Sequence, residues 1–225
     1  MKMDSYSRAM RHLSSFCALV IIFLLSGCDR LKPDSKGDSV PEGAVDLGLS
    51  VKWASCNLGA SSPEEYGEYF AWGEINPKLA YDESNYVFST GAKFWYSKYF
   101  GGSDPKTVLD LSDDAAHARL GKKWRIPTNE EWKELFLNCN KEKTTINGVS
   151  GIKFSSDSGE WIFLPTAGHY EGPDLLSDGG FYWSSNVVEN KQYMARAYSF
   201  KSPNLYFGKD EIWRFLGSSI RPVSD

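Results

Sequence analysis

Residues 121–132 read GKKWRIPTNEEW, and this stretch decides the fold because it marks the start of a helix. Thr128 and Glu131 form the T-x-x-E pattern of a capping box, in which each side chain satisfies a backbone N–H group of the other residue. Pro127 stands directly before the cap and sets the angle at which the chain enters the helix. The pattern therefore predicts a helix whose first turn follows Thr128.

The residues after the cap form one apolar face. Trp132, Leu135, Phe136 and Cys139 stand at i, i+3, i+4 and i+7, which is the spacing of residues on the buried side of a helix. We therefore expect Trp132 to face the core.

The residues before the cap read as the end of a buried segment. Trp124 and Ile126 flank Arg125, and the arginine has no local partner in the sequence. We expect Arg125 to form a buried ion pair with an acid such as Asp46 or Glu74. Six residues of the stretch are interpreted as structural and not as catalytic: Trp124, Arg125, Pro127, Thr128, Glu131 and Trp132.

A first helix is predicted just upstream. Ser112 is a good N-cap, and Asp113 and Asp114 suit the positive end of a helix dipole. Gly121 stands where this helix would end, as glycine often does.

The remaining chain reads as short strands and loops. Asn147-Gly148 predicts a tight hairpin turn, and residues 157–159 predict a second turn. Residues 74–107 show no period and are expected to be an irregular segment packed by its own aromatic rings. Strands are predicted at 45–54, 69–72, 160–165, 181–185, 192–200 and 205–208. Two helices followed by antiparallel strands give an α+β fold.

The N-terminus has the pattern of a lipoprotein signal peptide. Lys2, Arg8 and Arg11 precede the apolar residues 13–25, and the following LSGC ends at Cys28. We expect cleavage before Cys28 and a diacylglycerol on its thiol, which would anchor the chain stably in a bilayer. The alternative is a soluble secreted protein with an unmodified cysteine at this position.

The chain divides into three parts on this basis. Residues 1–27 form the signal peptide, residues 28–44 form a polar, flexible tether, and residues 45–225 form one domain. Three of the 25 basic residues and one of the 29 acidic residues leave with the signal peptide, so the mature chain has 22 and 28 and a net charge of −6. An acidic chain argues against nucleic acid as a partner.

The mature domain then keeps two cysteines, Cys56 and Cys139, after Cys17 is removed and Cys28 is acylated. In an oxidising envelope they are the only possible intramolecular pair, and a disulfide would stabilise the fold by about 4 kcal/mol through loop closure. The alternative is two buried free thiols.

Six motifs in this order carry a resemblance: VDLGLSVKWASCNLGA, EYGEYFAWGE, GKKWRIPTNEEWKEL, IFLPTAGHYEG, FYWSSN and GSSIRPV. Together they cover residues 44–225 and resemble Bacteroidetes lipoproteins with a Fibrobacter succinogenes major paralogous domain. The resemblance implies a C-type-lectin-like fold, with two helices, short and mainly antiparallel strands, and long loops. It also implies kinship with the formylglycine-generating-enzyme variant of that fold.

The sequence departs from the catalytic and metal sites of these folds. No cysteine follows Cys139, so the late cysteines of formylglycine-generating enzymes are missing. His117 and His169 stand 52 residues apart, without the close spacing of metal-binding histidines. Residues 202–204 (SPN) and 183–186 (WSSN) lack carboxylates that calcium-dependent lectins use. We therefore predict no catalytic residue, no metal and no cofactor.

A recognition surface is predicted instead in the last third of the chain, which is dense in tyrosine, tryptophan and arginine. These residue types are enriched at binding hot spots. Four are predicted to be exposed ligand-binding residues: Tyr198, Tyr206, Trp213 and Arg214.

The sequence thus predicts a non-enzymatic lipoprotein of the cell envelope. Its partners would be the bilayer, through acylated Cys28, and an unknown glycan or protein ligand. The outer membrane or the cell surface is favoured over the inner membrane. Two other classes stay open: an enzyme on a formylglycine-generating-enzyme-like scaffold, and a structural subunit of a surface assembly.

Overall fold

The computed structural model describes residues 41–101, 104–121, 123–201 and 206–225, except for the side chains of Tyr206 and Phe207. The predicted signal peptide, Cys28 and residues 28–40 of the tether lie outside these residues. Within them, no helix has both the length and the apolar character needed to cross a membrane.

The fold is mostly antiparallel β with two short helices, so the predicted α+β class is confirmed at this level. The strands are β1 Ala44–Val45, β2 Lys52–Ala54, β3 Trp124–Arg125, β4 Asn140–Ile146, β5 Val149–Ser155, β6 Trp161–Pro165, β7 His169–Glu171, β8 Asp174–Leu176, β9 Gly179–Val187, β10 Met194–Lys201, β11 Tyr206–Trp213 and β12 Val223–Ser224. The helices are α1 Ala115–Leu120 and α2 Asn129–Asn138, and 3-10 turns occupy Glu83–Asn85 and Leu111–Asp113.

The strands form four sheets with the orders β1-β2-β12-β3, β11-β10-β9, β4-β5-β6 and β7-β8. The β9–β11 sheet lies between two hydrophobic clusters. Two adjacent residues of β9 show this. Tyr182 belongs to the cluster that contains Trp132 of α2, whereas Trp183 belongs to a separate cluster that contains Phe70 and Tyr86. Adjacent strand residues point to opposite faces, so this sheet is buried on both sides.

Helix α2 begins as the capping box predicts. The Thr128 side chain accepts a hydrogen bond from Glu131 N at 3.3 Å, and the Glu131 carboxylate accepts one from Thr128 N at 2.7 Å. Trp132 and Leu135 are fully buried. The local sequence is sufficient here because both partners lie within one turn.

Helix α1 begins later than predicted. Ser112 lies in a 3-10 turn, and the N-cap is Asp114, whose carboxylate accepts hydrogen bonds from His117 N at 3.0 Å and Ile126 N at 2.7 Å. The second bond comes from the segment before α2, so a tertiary contact selects Asp114 as the cap. Gly121 ends the helix at φ 100°, as predicted.

The predicted strand 45–54 is wrong in its extent. Residues 46–51 connect two short strands, β1 and β2, which pair with each other, and Gly48 in this connection has φ 72°. Residues 69–72 form no strand and contribute only a bridge from Phe70 to Ser218.

The later strands agree better with the prediction. Asn147 and Gly148 have φ angles of 48° and 84° and connect β4 to β5. Two positive φ values in a two-residue turn are the type I′ geometry that suits a hairpin. The strands predicted at 160–165, 181–185 and 192–200 lie within or overlap β6, β9 and β10.

Residues 74–107 are irregular, as expected, and their aromatic rings fill much of the cluster that contains Trp183. The buried rings are Tyr81, Tyr86, Phe88, Tyr96 and Tyr99. Trp95 differs from them, since 56% of it is exposed, and its ring packs on Phe100 at 4.2 Å between centroids.

Arg125 forms a partly buried ion pair, but not with the acids predicted for it. Its guanidinium contacts both carboxylate oxygens of Glu131, at 2.8 and 2.6 Å, and the Asp225 carboxylate at 2.7 Å. The prediction of Asp46 or Glu74 is therefore wrong. Trp124 and Ile126 on either side are buried, as predicted.

Substitution of Glu131 by glutamine is expected to lower the free energy of unfolding by about 1–3 kcal/mol at neutral pH, because the carboxylate serves both Arg125 and the helix cap. Burial acts to raise the pKa of Glu131, but the hydrogen bonds from Arg125 and Thr128 outweigh it and the pKa is lowered from 4.5. A lowered pKa means that the stabilisation is present above pH 4.5 and is lost as the pH falls through the folded-state pKa.

Urea denaturation of wild type and Glu131→Gln across acidic pH tests this. The difference between the two proteins should shrink as the pH falls below 4.5. A difference that stays constant with pH would contradict the role of the ionised carboxylate. Glu130→Gln is the matched control, because Glu130 is exposed on the same turn.

Candidate functional site

The structure places the predicted ligand-binding residues mainly in the interior. Tyr198 is only 4% exposed and stacks on Trp132 at 5.3 Å, and Arg214 has no exposed surface. The prediction that these two are exposed is wrong, because β10 packs its tyrosine under α2 and the chain turns inward after β11. Trp213 is half-buried against Phe215, with ring centroids 5.4 Å apart, and the side chain of Tyr206 is not described.

Arg214 lies in a cage of aromatic rings. Its guanidinium carbon is 4.6 to 5.8 Å from the centroids of five rings: Trp72, Tyr86, Phe88, Tyr96 and Tyr99. Rings at such distances attract a cation through their electron-rich faces, and the attraction strengthens when water is excluded. The cage therefore stabilises the folded form of the irregular segment around the Arg214 guanidinium.

Hydrogen bonds fix the same guanidinium. Nε donates to the Tyr86 hydroxyl at 3.0 Å, and Nη1 donates to the carbonyl oxygens of Lys98 at 3.1 Å and Gln192 at 2.9 Å. Burial raises the pKa of Tyr86, so this hydroxyl stays neutral. Arg214 thus joins the irregular segment to the turn between β9 and β10.

Arg221 is a second fully buried arginine. Its three donors reach Asn57 Oδ1 at 3.0 Å, the Ala54 carbonyl at 3.0 Å and the Phe163 carbonyl at 2.6 Å. Burial lowers the pKa of Arg221 to about 10, so it remains a cation at neutral pH. It too is structural.

The candidate site is a polar groove where the start of α2 meets the β9–β11 sheet. Its volume is about 310 Å³, and we call it the amide groove. Two threonines and a valine line it together with six polar or charged residues: Asn129, Glu130, Asn186, Glu189, Arg196 and Lys209.

Hydrogen bonds position the two amide side chains of this groove. Asn186 Oδ1 accepts from Asn129 N at 2.8 Å and from the Ser184 hydroxyl at 3.1 Å. Asn129 in turn accepts at its backbone oxygen from the Tyr198 hydroxyl at 3.0 Å. Within the described residues, the amide nitrogen of Asn186 has no hydrogen-bond partner, so it is a donor available to a ligand.

The charged residues of the groove differ in how they are held. Arg196 is paired with Glu211, which also accepts from Lys191 Nζ at 3.0 Å. The hydrogen bond from Lys191, together with Arg196, lowers the pKa of Glu211, so the carboxylate is ionised at neutral pH. Glu189 and Lys209 are exposed. The groove therefore has a positioned arginine and exposed charges of both signs.

A second groove has a more apolar character. Its volume is about 420 Å³, and exposed Ile75 and Val87 line it beside Phe88. The acids in its wall, Glu74 and Asp113, are paired with lysines. Nothing in the described residues indicates what would cover it.

The two histidines of the domain, His117 and His169, lie on different elements of the fold. His117 is on α1, and His169 on β7 packs its ring against Phe181 at 4.3 Å. Burial lowers the pKa of His169, which favours its neutral form. Among the described residues, no three histidine, cysteine or carboxylate side chains lie close enough together to hold a metal ion.

The predicted disulfide between Cys56 and Cys139 is wrong. Cys139 is a free, buried thiol, so it forms no disulfide with Cys56. The two cysteines belong to separate hydrophobic clusters, since Cys139 lies with the apolar face of α2 and Cys56 packs with Ala60. Burial raises the pKa of the Cys139 thiol, which disfavours its reactive thiolate form.

Most residues of the amide groove were missed by sequence reasoning. Arg196 had a usable signal, because it is the one charged residue of the predicted strand 192–200. Asn186 ends the WSSN motif, which drew attention only as an incomplete calcium site. Asn129 and Lys209 have no local signal, since their proximity depends on how α2 packs against the sheet.

A comparison with protein-family models, with curated proteins and with solved structures finds no match for this chain. The assignment of function therefore depends on the residues and the geometry described above.

Proposed function

We propose that this chain is a non-enzymatic recognition lipoprotein of the cell envelope, with a C-type-lectin-like domain that binds a glycan or protein ligand. The amide groove is the observation that carries the proposal. It combines positioned side chains with exposed donors and acceptors, as ligand sites do. The sheet arrangement, the two helices and the six ordered motifs support the C-type-lectin-like fold and the likeness to the Fibrobacter succinogenes major paralogous domain.

The recognition role is tested by screening the folded mature chain against glycan and protein arrays. We expect at least one reproducible ligand, and we expect Arg196→Ala to weaken its binding because the groove would lose its positioned cation. A screen in which folded protein retains no glycan and no protein would overturn the recognition role.

The anchor is tested by metabolic labelling with palmitate. We expect label on the wild-type chain and its complete loss in Cys28→Ala, because the diacylglycerol would be attached at that thiol. Cys139→Ala is the matched control and should keep the label, since its cysteine is buried in the domain. Equal labelling of wild type and Cys28→Ala would contradict lipidation.

A further inference from the structure

We infer that the amide groove takes a neutral, polyhydroxylated ligand, such as one or two sugar rings, and that it does so without a bridging cation. This inference rests on the proposed recognition function and names the ligand class of the same site. Three features of the groove lead to it: its positioned amides, its balanced charges and its size.

The amides offer a fixed donor. Asn186 Oδ1 is occupied by Asn129 N at 2.8 Å and by the Ser184 hydroxyl at 3.1 Å, and this orients the rest of the side chain. The NH₂ group of Asn186, which has no partner in the described part of the chain, suits an acceptor that is held in one place. A sugar hydroxyl can accept this bond while it donates another.

The charges argue against an ionic ligand. Glu130 and Glu189 line the groove together with Arg196 and Lys209, so the two acids offset the two bases. Arg196 is itself paired with Glu211, and Glu130 is paired with Lys133. The charges of Glu189 and Lys209 remain and offset each other. An anion would meet two carboxylates at close range, and a cation would meet Arg196 and Lys209. A neutral molecule with many hydroxyl groups avoids both costs and can hydrogen-bond to groups of either sign.

The size and the donor set fit the same class. A volume of about 310 Å³ lies at the lower end of small-molecule pockets, which span roughly 300–1,000 Å³. It suits one or two rings more than a folded partner. A bridging calcium ion would need several convergent oxygen ligands, whereas the acids Glu130 and Glu189 are both exposed at the rim.

The test uses the mature chain with Cys28→Ser, titrated by calorimetry with neutral oligosaccharides, with uronate-containing oligosaccharides and with cationic glucosamine oligosaccharides, each with and without EDTA. We expect binding of a neutral oligosaccharide that EDTA leaves unchanged. Binding of only a charged class, or binding abolished by EDTA, would overturn the inference.

Two variants tie the binding to the groove. Asn186→Asp keeps the Oδ1 acceptor for Asn129 N but removes the NH₂ donor, and we expect about tenfold weaker binding. The control Asn140→Ala removes an exposed amide on β4. Equal affinity of Asn186→Asp and Asn140→Ala would overturn the inference.

The two proposals fail separately. One outcome is that the arrays return a protein ligand or an acidic glycan whose binding is weakened by Arg196→Ala. This result would support the recognition function and contradict the inference of a neutral ligand. Arrays and titrations without any ligand would sink both.

Discussion

Arg214→Ala is expected to lower the free energy of unfolding by about 4 kcal/mol or more, which is a large part of the stability of a domain of this size. The substitution leaves the partly buried carbonyl oxygens of Lys98 and Gln192 without this donor. It also removes the cation from a cage of five rings. The irregular segment between residues 74 and 107 would then lose one of its links to the sheet.

Chemical denaturation of Arg214→Ala, Arg214→Lys and Lys133→Ala measures this effect. Lysine keeps the charge but not the planar fork of donors, so Arg214→Lys should recover about half of the loss at most. Lys133→Ala removes an exposed cation, 58% of whose side chain is accessible, and should change the stability by less than about 0.5 kcal/mol. A stability of Arg214→Lys equal to wild type would show that charge alone matters and that the cage geometry does not.

Arg221→Ala is expected to have a similarly large effect, about 4 kcal/mol, for a different reason. No carboxylate faces this arginine among the partners that the structure gives it, and its three bonds go to Asn57 and to the carbonyls of Ala54 and Phe163. These partners lie on separate parts of the fold. Removal of the guanidinium would leave three buried acceptors unsatisfied at once.

The matched control is Arg119→Ala. Arg119 forms an ion pair with Glu68 at 2.6 Å, but about a third of each side chain is exposed. Such surface pairs contribute about 0–1 kcal/mol. Thermal unfolding of the two variants side by side should therefore show a large drop in Tm for Arg221→Ala only. A comparable drop in both would mean that arginine removal is harmful regardless of burial.

The parts of the fold that could be predicted are those in which the interacting groups are close in sequence. The cap of α2 depends on residues three apart, and the turn at Asn147-Gly148 depends on two adjacent φ angles. The start of α1 was misplaced because its cap, Asp114, is selected by a bond from Ile126. The prediction for residues 45–54 failed because alternation does not show where the chain folds back on itself.

The candidate site was less accessible from sequence. Tyr198 and Arg214 have the residue types of a binding surface, yet the contacts that bury them come from α2 and from the irregular segment. The amide groove joins residues from α2, β9, β10 and β11. No single stretch of sequence shows their proximity, since it depends on how the helix packs on the sheet.

The position of β12 has a consequence for the order in which the molecule can be made. β2 and β3 belong to one sheet only because β12 pairs with both, through Val223 opposite Trp53 and opposite Arg125. Trp53 and Val223 are 223 − 53 = 170 residues apart in the sequence, so this sheet closes only after the chain between them has been made and has folded back on itself. Pairings between such distant segments form slowly. We therefore expect this sheet to be among the last parts of the fold to form.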